Sequence, residues 1–306
     1  MHRDEVDTSA ALVGRLLAEQ FPQWAGLPIA PVVSAGTDNA LYRLGDALAA
    51  RLPRIHWAVG QADKEDTWLP RLAPALPLAV PAVLAHGAPG AGYPYPWAVY
   101  RWLGGANAAE EPSADMRQAA LDLAGFLLAL QQLDTTGGPA AVDHGLRGAP
   151  LAGRDAATRE AIAALGEDID AAAATAVWDA ALRAGEWHRP PVWFHGDLLP
   201  GNLLVSGGRL SAVIDWNGLG VGDPACDLVI AWALLDGESR AVFRAALGVD
   251  DATWARGRGH ALSQALIFIP YYRLTNPLGV AYHRRTLAAV LAEGAYRRPR
   301  VMTSGR

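Results

Sequence analysis

Three short apolar stretches, residues 192–194, 203–205 and 210–214, constrain this chain more than any other feature, because they interrupt a second half that otherwise repeats with a helical period. Each is too short for a stable helix and rich in branched or aromatic side chains, so each reads as a strand. Gly207-Gly208 separates the second from the third, and two glycines readily adopt the positive φ angles of a two-residue hairpin turn. The first two are joined by His195-Gly196-Asp197-Leu198-Leu199-Pro200-Gly201-Asn202, and the third runs into Asp215-Trp216, with Asp215 thirteen residues after Asn202. Strand, loop, strand, turn, strand predicts one small hairpin with Asp197, Asn202 and Asp215 gathered at one end.

Those three side chains carry defined chemistry. Asp197 lies on a loop constrained by Gly and Pro, where a carboxylate can be held within reach of a hydroxyl proton. Asn202 offers a neutral oxygen and Asp215 a charged one, the small oxygen set that holds magnesium on nucleotide phosphates. Phosphoryl transfer needs these roles together, and asks for position more than for basicity. Taken singly, Asp197 reads equally well as a turn-capping Asp. A zinc site would use several His or Cys, and His195 has no second one at a suitable spacing, so its plainer role is to hydrogen-bond the loop backbone.

At 306 residues the chain exceeds the usual single-core size, so two lobes or domains are expected, and a 51% hydrophobic content can fill their cores. A net charge of -5 and a pI near 5.9 argue against nucleic acid as the main partner and suit a cationic small molecule, though weakly. Cys226 is the single cysteine, which excludes an internal disulfide and fits a reducing compartment. The N-terminus lacks a signal-like apolar segment and no uncharged run reaches membrane-spanning length, so a cytoplasmic protein without a membrane partner is expected.

The periodicity predicts a helix over residues 10–19, a three-stranded antiparallel meander from 29–34, 40–44 and 48–52, and a helix over 63–72. Prolines leave room for short strands at 83–86 and 97–102, after which helices are expected over 116–133, 156–164, 171–183, 224–235, 252–268 and 278–293. The Gly- and Pro-rich stretch 137–153 reads as a surface loop.

His195-Gly196-Asp197-x-x-Pro200-Gly201-Asn202, Val213-Ile214-Asp215-Trp216 and Gly222-Asp223-Pro224-Ala225-Cys226-Asp227-Leu228, in that order, resemble the aminoglycoside phosphotransferase-like branch of the protein-kinase-like fold. The resemblance implies a bilobal α+β fold. A small antiparallel-sheet nucleotide lobe would cover residues 1–103 and end in a hinge, and a mainly helical lobe with the catalytic loop and acceptor pocket would cover 104–306. It further implies ATP (or GTP) as phosphate donor, Mg2+ as cofactor, and transfer to a hydroxyl of an aminoglycoside or related antibiotic. A kinase of another hydroxylated metabolite, or a catalytically silent ligand-binding kinase fold, is the alternative.

By the same resemblance Asp197 is the catalytic Asp, Asn202 and Asp215 hold the metal, and Asp223 and Asp227 brace the catalytic loop or approach the substrate, with His195 as a structural support of the loop. Asp223 also reads as a helix N-cap before Pro224. Residues 35–44 match the hairpin that covers nucleotide phosphates, with Thr37 as a contact, but they lack a Gly-x-Gly-x-x-Gly pattern and a plain turn is the alternative. Arg51 stands where the family presents a Lys, Glu65 stands at its partner's place, and Tyr100 and Trp102 fall in the hinge segment. An Arg keeps the charge and can grip phosphates bidentately. Leu199 stands where many relatives carry a His, and altered loop packing is the expected consequence.

For the acceptor pocket, Tyr271, Tyr272 and Asn276 are expected between helices, beside Pro270 and Pro277. Asp227, Asp236 or Glu238 would meet the ammonium groups of a polyamine sugar. Trp254 is expected in the core. Only six residues separate Asp215 from Gly222, too few for the activation segment of a protein kinase, which favours a small acceptor.

Overall fold

The computed structural model describes residues 5–32, 38–141 and 147–295, so residues 35–37 of the expected phosphate hairpin, Thr37 among them, lie outside the described residues. The chain divides into two compact units, Met1–Leu133 with Pro200–Gly218, and Asp134–Leu199 with Leu219–Arg306. Gly104, the expected lobe boundary, falls inside the first unit.

In the first unit, helix α1 (Ala10–Gln20) starts where the Ser9 side chain accepts the Leu12 N–H, and buries Leu12, Val13, Leu16 and Leu17 on one face. These meet Tyr42, Leu44, Leu52, Trp97 and Val99 from an antiparallel sheet of β1 (Ile29–Pro31), β2 (Asn39–Leu44), β3 (Leu48–Pro53), β4 (Val83–Gly87) and β5 (Trp97–Arg101). The sheet order is β1-β2-β3-β5-β4, which bears out the meander. Arg51 on β3 is paired with Leu41 on β2 and Ala98 on β5. Helix α2 (Gln61–Leu72) follows Gly60, whose φ of 90° suits glycine, and begins two residues before the predicted start. A smaller sheet joins β6 (Ala106–Asn107) to the hairpin of β8 (Leu203–Ser206) and β9 (Arg209–Val213), with Gly207 and Gly208 at φ 58° and 78° in its turn. Helix α3 (Met116–Gln131) completes the unit.

The second unit holds β7 (Val192–Phe194), which pairs with β10 (Gly220–Gly222). This corrects the single-hairpin expectation, because β7 shares no sheet with β8 and β9. The reason is the glycine content around Phe194. A Cβ at Gly220 would come within 2.6 Å of the Phe194 ring, and one at Gly148 within 2.1 Å, so backbone closes directly on that ring. Helices α4 (Asp155–Leu165), α5 (Ala171–Arg183), α6 (Ile230–Ala233), α7 (Gly237–Leu247), α8 (Asp251–Tyr272) and α9 (Pro277–Ala295) form the rest. Residues 224–235 are not one helix. A 3-10 segment, Pro224–Val229, buries Cys226 and Asp227 before the short α6. Helix α7 was not anticipated. The Asp236 carboxylate caps it and the left-handed Gly248 closes it.

Candidate active site

The first unit brings Arg51, Glu65 and Asp215 together. From β3, Arg51 Nη1 donates to Glu65 Oε1 at 3.3 Å, and Nη2 donates to Asp215 Oδ1 at 2.9 Å. A residue that the sequence reading passed over completes the cluster. Gln61, on the first turn of α2 and only 4% exposed, accepts from Arg51 Nη2 at 2.7 Å. Its Nε2 donates to Glu65 Oε1 at 2.9 Å and to Asp215 Oδ1 at 2.7 Å. The spacing of Gln61 and Glu65, one helical turn apart on α2, was the available signal. Burial alone would depress the Arg51 guanidinium, but the Asp215 and Glu65 charges more than offset it and hold it above its ordinary value.

Glu65 is further fixed by the Tyr100 hydroxyl, which donates to Oε2 at 2.7 Å, and by the Trp216 N–H, which donates to Oε1 at 3.1 Å. Burial, then the Glu65 charge, raise the Tyr100 phenol well above its usual range. The Tyr100 side chain therefore braces Glu65. Trp102 donates its backbone N–H to Ala47 O at 2.8 Å, and its ring lies under the Arg43 guanidinium. Asp215 has φ 63°, a left-handed conformation uncommon outside glycine, and its side chain is 39% exposed. The Ile214 N–H donates to Asn202 O at 2.9 Å, which ties the backbone of Asn202 beside Asp215. Lys64, the chain's single lysine, donates to Asn217 O at 2.7 Å.

In the second unit, β7 delivers His195 and Asp197. Asp227 is fully buried, and its two carboxylate oxygens accept the His195 and Gly196 N–H groups at 2.7 Å each. Burial pushes its carboxyl up to about 7, against the pull of those two donors. Buried His195 turns Nδ1 toward the Asp197 N–H at 3.2 Å. Asp223 caps the following 3-10 segment through Ala225 N and forms a buried pair with Arg256, Nε to Oδ2 at 2.7 Å. Asp197 itself meets Gln264 Nε2 at 3.3 Å and Arg147 Nη2 at 3.1 Å, two residues that carried no signal in the sequence.

The expected acceptor residues stand at the end of α8 and the start of α9. Tyr271 and Tyr272 belong to the last turn of α8, which continues through Pro270, and do not lie between helices. Tyr271 is 67% exposed, and Tyr272 stacks on Phe268 with ring centroids 4.3 Å apart. Asn276 accepts from Gly279 N at the start of α9, a capping contact. Asp227 is buried and enclosed by backbone donors, whereas Asp236 is exposed and caps α7. Trp254 is buried, as expected of a core residue, and it and Trp232 both donate to Glu293.

The fold is similar to that of the wild-type aminoglycoside 2'-phosphotransferase-IIIa in its GDP complex, at 17% identity, a TM-score of 0.72, and coverage of 94% of this chain and 100% of that one. It is also similar to the macrolide 2'-phosphotransferase MphH from Brachybacterium faecium, at 24% identity, a TM-score of 0.61, and coverage of 92% and 97%. The type I macrolide 2'-phosphotransferase is alike at 21% identity, a TM-score of 0.63, and coverage of 94% and 98%. Among curated proteins, none matches the chain. The model of the phosphotransferase enzyme family matches residues 30–260, and the chain belongs to that family of small-molecule phosphotransferases.

Proposed function

We propose that this enzyme transfers the γ-phosphoryl group of ATP or GTP to a hydroxyl of a small acceptor, with Asp197 orienting the attacking oxygen. The observation that carries the reading is the closed cluster of Arg51, Gln61, Glu65 and Asp215, in which a cation and a carboxylate distant in sequence are held side by side. A guanidinium fixed in this way presents a rigid charge to nucleotide phosphates. Asn202 and Asp215 are hard oxygen donors with adjoining backbones, and among the described residues no group of three or more His, Cys, Asp or Glu competes for a metal. That donor set fits magnesium, which keeps most of its own waters. When bound, magnesium neutralises phosphate charge as it develops. Asp215 Oδ1 is already engaged by Arg51 and Gln61, so these two residues set how its carboxylate faces a ligand.

Asp197 acts by position, placed by the Asp227 clamp on the two residues before it. First acceptors to examine are aminoglycosides such as kanamycin and gentamicin, which similar folds bind, and macrolides. The test is magnesium-dependent turnover of ATP and GTP against that panel together with hydroxylated metabolites. Transfer that disappears in Asp197→Ala while ADP binding persists supports the proposal. A wild-type chain that binds nucleotide and phosphorylates nothing in the panel points to a silent fold.

A further inference from the structure

The surroundings of Asp197 in the second unit are basic. Arg147 is held in place by its neighbour Gly148, which has φ 69°, accepts the Asp223 N–H at 2.9 Å, and lies against the Phe194 ring where no side chain would fit. Its guanidinium is about one-third exposed beside Asp197. A second guanidinium, that of Arg154, stands close enough to feel the Arg147 charge. Arg154 is half-buried, donates through Nε to the fully buried Ser263 hydroxyl at 3.0 Å, and among the described residues forms no ion pair. Ser263 adjoins Gln264, which reaches Asp197 from the same helix.

The other charged groups around them are already matched. Arg256 closes on Asp223 with both side chains buried, and Asp227 faces the backbone donors of the loop. Burial, then the Arg154 and Arg256 charges, depress the His260 imidazole to about 3, so His260 is neutral, and among the described residues its Nε2 has no hydrogen-bond partner. A half-buried guanidinium without a counter-charge is costly unless something supplies one. A hydroxyl that engages Asp197 also competes with Arg147, which leaves a second donor fork to satisfy.

We propose that Arg147 and Arg154 form an oxyanion-recognition site beside Asp197, and that the acceptor is a hydroxylated molecule bearing a carboxylate or phosphate, not a polycation. This deepens the kinase reading and rests on Asp197 as the group that orients the acceptor hydroxyl. Two planar forks suit the planar or tetrahedral oxygens of such a group.

With the nucleotide site saturated by magnesium-ADP, the full chain is titrated with inorganic phosphate and with acetate. Saturable binding of either, weakened about ten- to a hundredfold in both Arg147→Gln and Arg154→Gln, is the expected result. ADP affinity in the same samples reports that the variants are folded. No binding to the wild type, or equal binding in both variants, overturns the proposal. A second arm compares turnover of glucose, glucosamine, glucuronate and glucose 6-phosphate, one ring with different charges, alongside kanamycin. Preference for glucuronate over its neutral and cationic counterparts identifies a carboxylate source, and preference for glucose 6-phosphate a phosphate source. Preference for glucosamine, or kanamycin turnover unchanged in both variants, overturns the proposal and leaves the kinase reading standing. Oxyanion binding lost in both variants, with no transfer to any acceptor, would sink the kinase reading alone.

Discussion

The charged clusters of the two units differ in how completely they are satisfied. Around Arg51 the guanidinium meets three acceptors, and Gln61 binds the same carboxylates a second time. Around Asp197 one guanidinium leans on a single carboxylate, and another finds only a hydroxyl. The difference separates two kinds of preorganisation. On the proposed function, the first meets the same phosphates in every turnover and can be closed in advance, whereas the second recognises a particular acceptor and keeps donors in reserve for it.

The most severe break in the comparison is Asp197→Ala, expected to lower kcat by about 10²- to 10⁴-fold with ADP affinity unchanged. Steady-state kinetics with calorimetry on the same preparation checks it, and a parallel loss of ADP binding would erase the distinction between the clusters. Next is Arg256→Leu, which strands a buried Asp223 carboxylate and should cost about 3–5 kcal/mol in urea unfolding. A loss below about 1 kcal/mol would mean that the pair is hydrated and not buried.

Gln61→Leu keeps the shape and removes the second layer of bonds around Arg51 and Asp215. A fall of about ten- to a hundredfold in kcat/KM for the nucleotide is expected. Arg51→Lys sharpens this result, because an ammonium has no fork to share between Gln61 and Asp215. The cost of Gln61→Leu should shrink in that background, and strict additivity would deny Gln61 its bridging part.

The smallest effect is on acid stability, and it belongs to the second unit. Burial holds His283 at about 4, and burial with two arginines holds His260 at about 3. Because both folded values lie below the ordinary 6.5, their contribution is present above pH 6.5 and is lost as pH falls toward 4. Asp227, raised to about 7, works in the opposite sense, since its contribution is full below its ordinary value near 4 and is lost as pH rises to about 7. Two imidazoles outweigh one carboxyl, so the unfolding midpoint should fall between pH 6.5 and 4.5. His283→Phe should flatten that slope by about 1 kcal/mol per pH unit. An unchanged slope would show that His283 titrates normally.

Much of this was legible in the sequence because the motif residues are tied to short, punctuated elements. The meander emerged from alternation bounded by Gly-Asp turns, and the family resemblance located Arg51 and Glu65, on a strand and the helix after it. Gln61 was not located, since it precedes the expected start of its helix by two residues, and its spacing from Glu65 informs only once that helix is placed. Arg147 was hidden in a segment without period, and its partner lies on a different element. Strand β7 was assigned to the wrong neighbour because apolar runs do not reveal pairing, and the glycines that admit the Phe194 ring are scattered along the chain. Tyr271, Tyr272 and Asn276 drew attention as aromatic and polar residues near prolines, yet Pro270 sits in a helix that continues past it.

Each unit also carries one chemically unique side chain. Lys64, in the first, has its amine on Asn217 O, and Cys226, in the second, is 5% exposed with burial holding its thiol well above the usual value. A thiol of that kind does not form thiolate at neutral pH and is closed to alkylating reagents while the unit is folded. Alkylation of Cys226 therefore acts as a one-event clock for opening of the second unit.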